Sequence, residues 1–210
     1  MANVNAPFGF REYSGTGVTP SYEQVTLYNG GIDYNAAAIY FGDPVVRVGT
    51  GDGTIKQAAG SAGGSSVTMA GIFKGCKYYS LVVGRTVWSN YWPGGSPVTA
   101  GNQSTIEAYI INDPNAQFLV QSDSTGMAQA DIGANVDFNI GTGNAANGLS
   151  GAYLIHTGSA ATGFPFRFVG LVWFPPGANG VATSGAAAAY NYAVVAFANV
   201  ETKTLTAVNT

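Results

Sequence analysis

The residues that could do nucleophilic or acid–base chemistry are few and widely spaced. His156 is the single histidine, so a Ser-His-Asp triad has one candidate base. The nearest serine motif, GLSGA at Gly148–Ala152, departs from the G-x-S-x-G nucleophile elbow at its last position and precedes a strand-like segment rather than a helix. We therefore interpret Ser150 as a turn serine, and we expect no catalytic residue.

Cys76 is the single cysteine, and Lys74 and Lys77 lie close to it in sequence. Cationic neighbours can lower the pKa of a thiol and make its thiolate nucleophilic. No base is tied to Cys76 by spacing, so the prediction is a thiol packed within a strand. One cysteine also excludes an intrachain disulfide framework.

Cofactor and metal signatures are equally weak. The segment 141–146 (GTGNAA) imitates a dinucleotide-binding glycine motif, but the NGLSG that follows cannot begin a stable helix. Oxygen ligands for Ca²⁺ could come from four aspartates, which lack the spacing of an EF-hand loop. These are Asp52, Asp123, Asp131 and Asp137. The prediction is a protein without metal or cofactor.

Charged side chains are unusually sparse. The chain of 210 residues has 8 Lys and Arg and 11 Asp and Glu, which makes 9% charged and a net charge of −3, whereas ordinary domains are about 25% charged. The basic residues are scattered, which argues against nucleic-acid binding. No stretch approaches the ~20 apolar residues of a membrane span. Because 46% of residues are hydrophobic, we expect part of the surface to be covered by other protein.

Short strands and turns dominate the sequence pattern. Runs rich in Val, Ile, Thr and aromatic residues alternate with glycine- and proline-containing turns, and helical signals are scarce. This pattern predicts an all-β fold, a small β-barrel or β-sandwich of short strands with an extended N-terminal arm and little helix. The predicted strands cover 22–28, 44–48, 67–73, 77–83, 85–88, 105–111, 116–122, 134–140, 153–156, 165–174 and 189–200. The helix candidates, 31–40 and 185–190, lack caps and sustained periodicity.

The predicted organisation is an extended arm, residues 1–25, and a β-rich body, residues 26–210. A weaker subdivision separates a barrel-like module, 41–140, from C-terminal strands, 141–210. The Gly/Ala/Ser-rich segment 49–66 is predicted to be a flexible loop. Met1–Arg11 lacks the basic start and apolar run of a signal peptide, which predicts a protein made in a cytoplasm.

The arm contains the first group of candidate contact residues, which we call the arm group. It consists of Phe8, Phe10, Arg11 and Tyr13. A free arm would expose three aromatic rings to water. The arm is therefore expected either to dock on a partner or to wrap its own domain.

A second aromatic group, here the tryptophan group, consists of Trp88, Tyr91 and Trp92. On an exposed loop these side chains would form a sugar-stacking platform. In a structural protein the same cluster would be core or subunit interface, because aromatic residues dominate both. The sequence favours packing over sugar binding.

Four short motifs follow one another between Met1 and Gln121. They are ANVNAPFGFRE (Ala2–Glu12), GDPV (Gly42–Val45), AGIF-x-G (Ala70–Gly75) and INDPNAQFLVQ (Ile111–Gln121). In combination and order they resemble a group of tailed-bacteriophage virion proteins, the capsid decoration or cement proteins. In that family a polar glycine loop separates strands of a small β-barrel.

The resemblance implies a homotrimer on the outer capsid surface, bridging neighbouring major capsid proteins and lacking catalytic residues. The expected function is therefore that of a structural, non-enzymatic virion protein that stabilises the shell. Its partners would be its own copies and the major capsid protein, without nucleic acid or membrane, and the arm group would supply contacts. The alternative is a head-fibre, tail or receptor-binding virion module that contacts host glycans through the tryptophan group.

Overall fold

The computed structural model describes residues 3–14, 23–25, 31–49, 53–60, 67–95, 106–156 and 163–203. In these ranges the chain forms twelve β-strands and a short 3₁₀ turn, Gln129–Asp131. The strands are β1 Arg11–Ser14, β2 Glu23–Val25, β3 Pro44–Arg47, β4 Ile55–Gln57, β5 Gly71–Ser80, β6 Arg85–Ser89, β7 Glu107–Ile111, β8 Gln117–Gln121, β9 Asn135–Asn144, β10 Leu149–Ile155, β11 Phe166–Leu171 and β12 Tyr192–Phe197. The all-β prediction is confirmed.

The strands form two antiparallel sheets. The first sheet has the order β1-β8-β12-β11-β9-β10, and the second has the order β2-β7-β5-β3-β4, with β6 paired to β5. The chain passes from the second sheet to the first through the turn between β7 and β8. In that turn the Asp113 Oδ1 atom accepts the Asn115 N–H at 2.9 Å, and the Asp113 carbonyl accepts the Ala116 N–H at 3.0 Å. The side chain of Asp113 therefore closes the turn that the sequence predicts.

The larger core draws residues from both sheets and is rich in phenylalanine. Phe118, Phe138 and Phe166 have no exposed surface and Phe197 is 1% exposed. Phe166 and Phe197 stack with ring centroids 5.7 Å apart. Because side chains alternate along each strand, these four phenylalanines lie on one face of the first sheet.

A smaller core lies on the other face of the second sheet. There Phe73 and Ile110 pack with Ile32, Ile39 and Trp92. Segment 31–40, the better helix candidate, forms turns and isolated bridges. One of these bridges pairs Ile39 with Trp92, so the segment covers the sheet without forming a helix.

Two predicted boundaries do not coincide with boundaries in the sheets. The subdivision between 41–140 and 141–210 falls inside β9, and the first sheet takes strands from both sides of it. The predicted loop 49–66 contains β4, which pairs with β3. Its Ile55 side chain is completely buried, so this part of the segment belongs to the second sheet.

The face of the second sheet that meets the larger core is only partly covered. At one end of β7, Ile111 is paired with Ile72, and both are fully buried in the core shared with the first sheet. Further along the same face, Tyr109 and Glu107 are partly exposed. The second sheet therefore extends beyond the first, and its β5–β6 hairpin lies at the uncovered end.

Candidate functional site

The first described part of the arm, residues 3–14, runs along its own domain. The Gln121 side chain holds it at two points, since its Oε1 accepts the Ala6 N–H at 2.9 Å and its Nε2 donates to the Val4 carbonyl at 3.0 Å. The Phe8 ring meets the Tyr192 ring edge-on, with centroids 5.5 Å apart. Of the two predicted alternatives, the described part of the arm takes the second and wraps its own domain.

Phe10 is a core residue. Its side chain has no exposed surface, and its ring stacks on Phe166 with centroids 4.5 Å apart. Its N–H donates to the Gly42 carbonyl at 2.9 Å. This position corrects the expectation that Phe10 contacts the capsid or a sister subunit, because a ring enclosed by its own core cannot reach a neighbour.

The rest of the arm group lies nearer the surface. Tyr13 on β1 is 58% exposed, and Phe8 is half-buried. The Arg11 guanidinium lies 4.7 Å from the centroid of the Phe41 ring, a cation–π contact within the chain. Tyr13 is thus the member of the group best placed to meet another molecule.

Three of the four motifs meet beside a buried carboxylate between the sheets, since the Gly42 carbonyl accepts the Phe10 N–H and the Gly42 N–H donates to the Phe73 carbonyl at 2.8 Å. Asp43 has no exposed surface. Its Oδ1 accepts the Ser150 hydroxyl at 2.5 Å, and its Oδ2 accepts the Tyr40 N–H at 2.7 Å and the Gln57 amide at 2.6 Å. Burial raises the pKa of Asp43, against the effect of these hydrogen bonds. We call this region, with Phe10 and Gly42, the junction.

Glycine is required where the arm passes the junction. Gly9 has a φ of +74°, and a Cβ there would lie 2.5 Å from the Ser150 Cβ and 2.9 Å from the Gly42 carbonyl. Any other residue would therefore push the arm away from β10. The motifs that carry the family resemblance thus specify how the arm and the sheets join, and they form no open site.

The candidate triad residues are directed to different partners. Ser150 donates to Asp43 and accepts the Ala152 N–H at 2.9 Å. His156 Nε2 lies 3.2 Å from the Asp131 Oδ2 atom. With its proton committed to Asp43, Ser150 is a structural residue of the junction. It is hydrogen-bonded as predicted, but it lies in strand β10 rather than in a turn.

Cys76 is buried, and its Sγ donates to the Tyr91 carbonyl at 3.4 Å. Burial raises the pKa of this thiol, which opposes formation of a thiolate. Among the residues that the structure describes, no group of three or more His, Cys, Asp or Glu side chains is placed to hold a metal ion. Asp123 accepts the Thr125 and Gly126 N–H groups in a turn, whereas Asp52 lies outside the described residues.

The tryptophan group does not form one platform. Trp92 has no exposed surface and belongs to the smaller core, where Tyr78 meets it edge-on with centroids 5.6 Å apart. Tyr91 stacks on Tyr40 with centroids 5.8 Å apart. Trp88 is 68% exposed. The packing interpretation is therefore correct for Trp92. Its ring is enclosed by the core, so sugar stacking on this ring is excluded in this structure.

Among the residues that the structure describes, the longest run of exposed large apolar side chains is the tip of the β5–β6 hairpin, which sequence reasoning missed. Leu81, Val82 and Val83 are 55%, 78% and 54% exposed. The sequence contains a signal for it, because LVVG occupies a turn position where polar residues are usual. We call these three residues the hairpin tip.

A second exposed apolar site follows β11. Phe174 is 79% exposed and its neighbour Trp173 is 40% exposed. Both residues precede the turn that contains Pro175, Pro176 and Gly177. Exposed aromatic side chains at a turn are well placed for contact with another molecule.

Comparisons of the chain with protein-family models, with curated proteins and with solved structures found no match. In the described ranges no helix is long and apolar enough to cross a membrane.

Proposed function

We propose that this chain is a structural protein of a tailed-phage virion, which decorates the outer capsid surface and stabilises the shell by bridging neighbouring major capsid proteins. The observation that carries the proposal is the hairpin tip, where Leu81, Val82 and Val83 present a contiguous apolar surface to water. Contiguous exposed apolar residues mark sites of protein contact. Burying one such side chain contributes roughly 1.5–3 kcal/mol before entropic costs.

The base of the hairpin is held in the second sheet, and its turn is hydrogen-bonded. β5 pairs with β7 as far as Lys77, and from Cys76 to Ser80 it pairs with β6. At the turn, the Gly84 N–H donates to the Ser80 carbonyl at 2.8 Å, and the Val83 N–H donates to the Ser80 hydroxyl at 3.4 Å. A preorganised contact loses less conformational entropy on binding than a flexible loop does.

Composition and chemistry support a non-enzymatic role. With 9% charged residues, the surface has little charge to desolvate when another protein covers it. Ser150, Cys76 and His156 are each held in a structural contact. We therefore propose that the protein acts by contact alone.

We propose that the working form is a homotrimer, as the family resemblance implies. Three copies would bring three hairpin tips and three copies of Tyr13 to the capsid. Contacts that are modest individually then add through effective concentration. The mass in solution, measured by sedimentation, tests this step directly.

Replacing the hairpin tip tests the capsid role. Capsids that lack the protein would be incubated with the wild type or with Leu81→Ser/Val82→Ser/Val83→Ser, and bound protein would be measured by co-sedimentation. We expect binding to fall at least about tenfold, because three apolar contacts are lost. The matched control is Ile132→Ser, an exposed apolar residue near the first sheet. Wild-type binding by the triple variant, or capsids no more heat-resistant with the protein than without it, would contradict the proposal.

A further inference from the structure

The uncovered end of the second sheet carries a row of aromatic and polar side chains that the capsid role does not use. Lys77 on β5 is paired with Trp88 on β6 and with Glu107 on β7. Tyr109 lies two residues further along β7, opposite Gly75. We call these five residues the uncovered face.

The Trp88 indole lies mostly in water, beside polar groups of β5 and β7. It is 68% exposed, and it lines the same surface depression as Tyr109. The Tyr109 hydroxyl donates to the Glu107 Oε2 atom at 3.3 Å. Lys77 Nζ lies 5.9 Å from the centroid of the indole ring. The aromatic ring is therefore accessible and has hydrogen-bonding groups on the neighbouring strands.

Gly75 leaves space beside the indole. Its φ is +144°, and a Cβ there would lie 2.8 Å from the Ser89 carbonyl oxygen, so only glycine fits. Beside the indole lies an open depression of about 380 Å³, whose lining includes Lys74, Trp88, Asn90 and Tyr109 but neither Lys77 nor Glu107. A depression of this size is large enough for a small polar ligand.

The polar groups of the uncovered face are paired in charge. Lys77 Nζ lies 2.8 Å from the Glu107 Oε1 atom, and their side chains are 29% and 18% exposed. The pair keeps hydrogen-bonding capacity toward water, because an ammonium has three donors and a carboxylate has about four acceptor sites. At the edge of the depression, the Lys74 ammonium lies 4.6 Å from the Phe41 ring centroid. Because the charges of Lys77 and Glu107 balance, this pair favours a neutral, hydrogen-bonding ligand over an anion.

We propose that the uncovered face binds a neutral glycan. A pyranose ring has an apolar C–H side that fits an aromatic ring, and hydroxyls around its edge that fit the Lys77–Glu107 pair. The sugar would stack on Trp88 and hydrogen-bond to that pair, with Tyr109 as the second wall. A protein partner would have to desolvate the ion pair, which makes this face different from the apolar hairpin tip.

Glycan binding is tested on the full-length protein with an array of neutral, sialylated and sulfated glycans. The affinity for the strongest neutral ligand would then be measured by titration of tryptophan fluorescence. We expect Trp88→Ala to weaken binding at least about tenfold and Glu107→Gln to weaken it several-fold, because stacking and hydrogen bonding are lost separately. Trp173→Ala is the matched control, since it removes an exposed tryptophan elsewhere. Circular dichroism of each variant checks that the fold is kept.

Three results would overturn the inference: no neutral glycan bound above background, neutral-glycan binding unchanged by Trp88→Ala, or binding confined to sialylated and sulfated glycans. If Trp88→Ala instead lowers the solution mass of the protein without affecting a glycan, the face is a subunit interface and the proposal is wrong. Capsid binding is measured separately through the hairpin tip, so either proposal can fail without the other.

Discussion

The two ends of the second sheet differ in what covers them, although the same strands run through both. At the junction end, Ile72 and Ile111 are buried under the first sheet. At the hairpin end, the same face of β5 and β7 presents Lys77 and Tyr109, and its neighbour Trp88 is largely in water. Strand alternation decides which face a side chain joins, and the layer above decides whether that face is buried. One sheet can therefore supply both a core and a contact surface.

This difference separates residues that stabilise the fold from residues available for contact. The junction holds Phe10, Asp43 and Ser150, all buried and hydrogen-bonded or packed. The hairpin end holds side chains whose removal leaves no cavity. Substitutions at the junction should therefore change the free energy of unfolding, and substitutions at the hairpin end should change binding.

The largest expected difference is between Phe10→Ala and Trp88→Ala. Removing the Phe10 ring leaves a cavity among Phe118, Phe138 and Phe166, which should lower the free energy of unfolding by about 3–5 kcal/mol. Trp88→Ala removes a ring that is 68% exposed, and it should cost about 1 kcal/mol or less. Urea unfolding followed by circular dichroism measures both. Equal losses would mean that the ring of Trp88 is covered in solution.

Substitutions of polar residues should show the same contrast between the junction and the hairpin end, with a smaller loss of unfolding free energy. Asp43→Ala leaves the Ser150 hydroxyl, the Tyr40 N–H and the Gln57 amide without their acceptor, which should cost about 2–4 kcal/mol. Lys77→Ala breaks a partly exposed ion pair with Glu107, and it should lower the free energy of unfolding far less, because exposed ion pairs contribute little to stability.

A double-mutant cycle with Ser150→Ala isolates the contact between Asp43 and Ser150. A substantial positive coupling is expected because the hydrogen bond is buried. Additive losses in urea unfolding would show that Asp43 and Ser150 stabilise the protein independently.

The local sequence pattern was sufficient to predict the fold class, but it could not show which side chains other parts of the chain cover. Trp88 and Trp92 lie four positions apart in one aromatic segment, yet Trp88 is 68% exposed and Trp92 is fully buried. Trp92 is buried because its backbone exchanges two hydrogen bonds with Ile39, at 2.8 and 3.0 Å. That pairing joins distant segments, and no residue near Trp92 indicates it.

The errors in the arm and in the glycine-rich segment have the same cause. The sequence makes Phe10 a candidate for contact with a partner until the Gly42 carbonyl that accepts its N–H is known. Ile55 reads as part of a flexible loop, although its N–H donates to the Gly31 carbonyl at 3.0 Å. The composition of a segment indicates its local character, whereas the segment against which it packs is determined by the tertiary structure.

Lys74 lies between the two ends, and its effect on stability should depend on pH. It occupies the bulge of β5 between Phe73 and Gly75. Burial, the largest cause, lowers its pKa to about 8, with Glu12 opposing the shift and Arg11 adding to it. The unfolded chain, with the ordinary lysine pKa of 10.5, binds the proton more tightly than the folded protein does. Stability should therefore rise with pH between about 8 and 10.5, and the penalty for burying the charge is fully present below that range.

Lys74→Met should remove this rise, and the control Lys56→Met, at an exposed position of β4, should keep it. Urea unfolding at about pH 7, 9 and 10 gives the slope of the unfolding free energy against pH for the three proteins. This slope is more informative than the free energy at one pH, because the substitution also removes the contact of Lys74 with Phe41. Parallel slopes for wild type and Lys74→Met would mean that Lys74 is solvated like the residues of the hairpin end. A difference in slope would mean that Lys74 is buried. The part of the second sheet that the first sheet covers would then end at the bulge, one residue before Gly75.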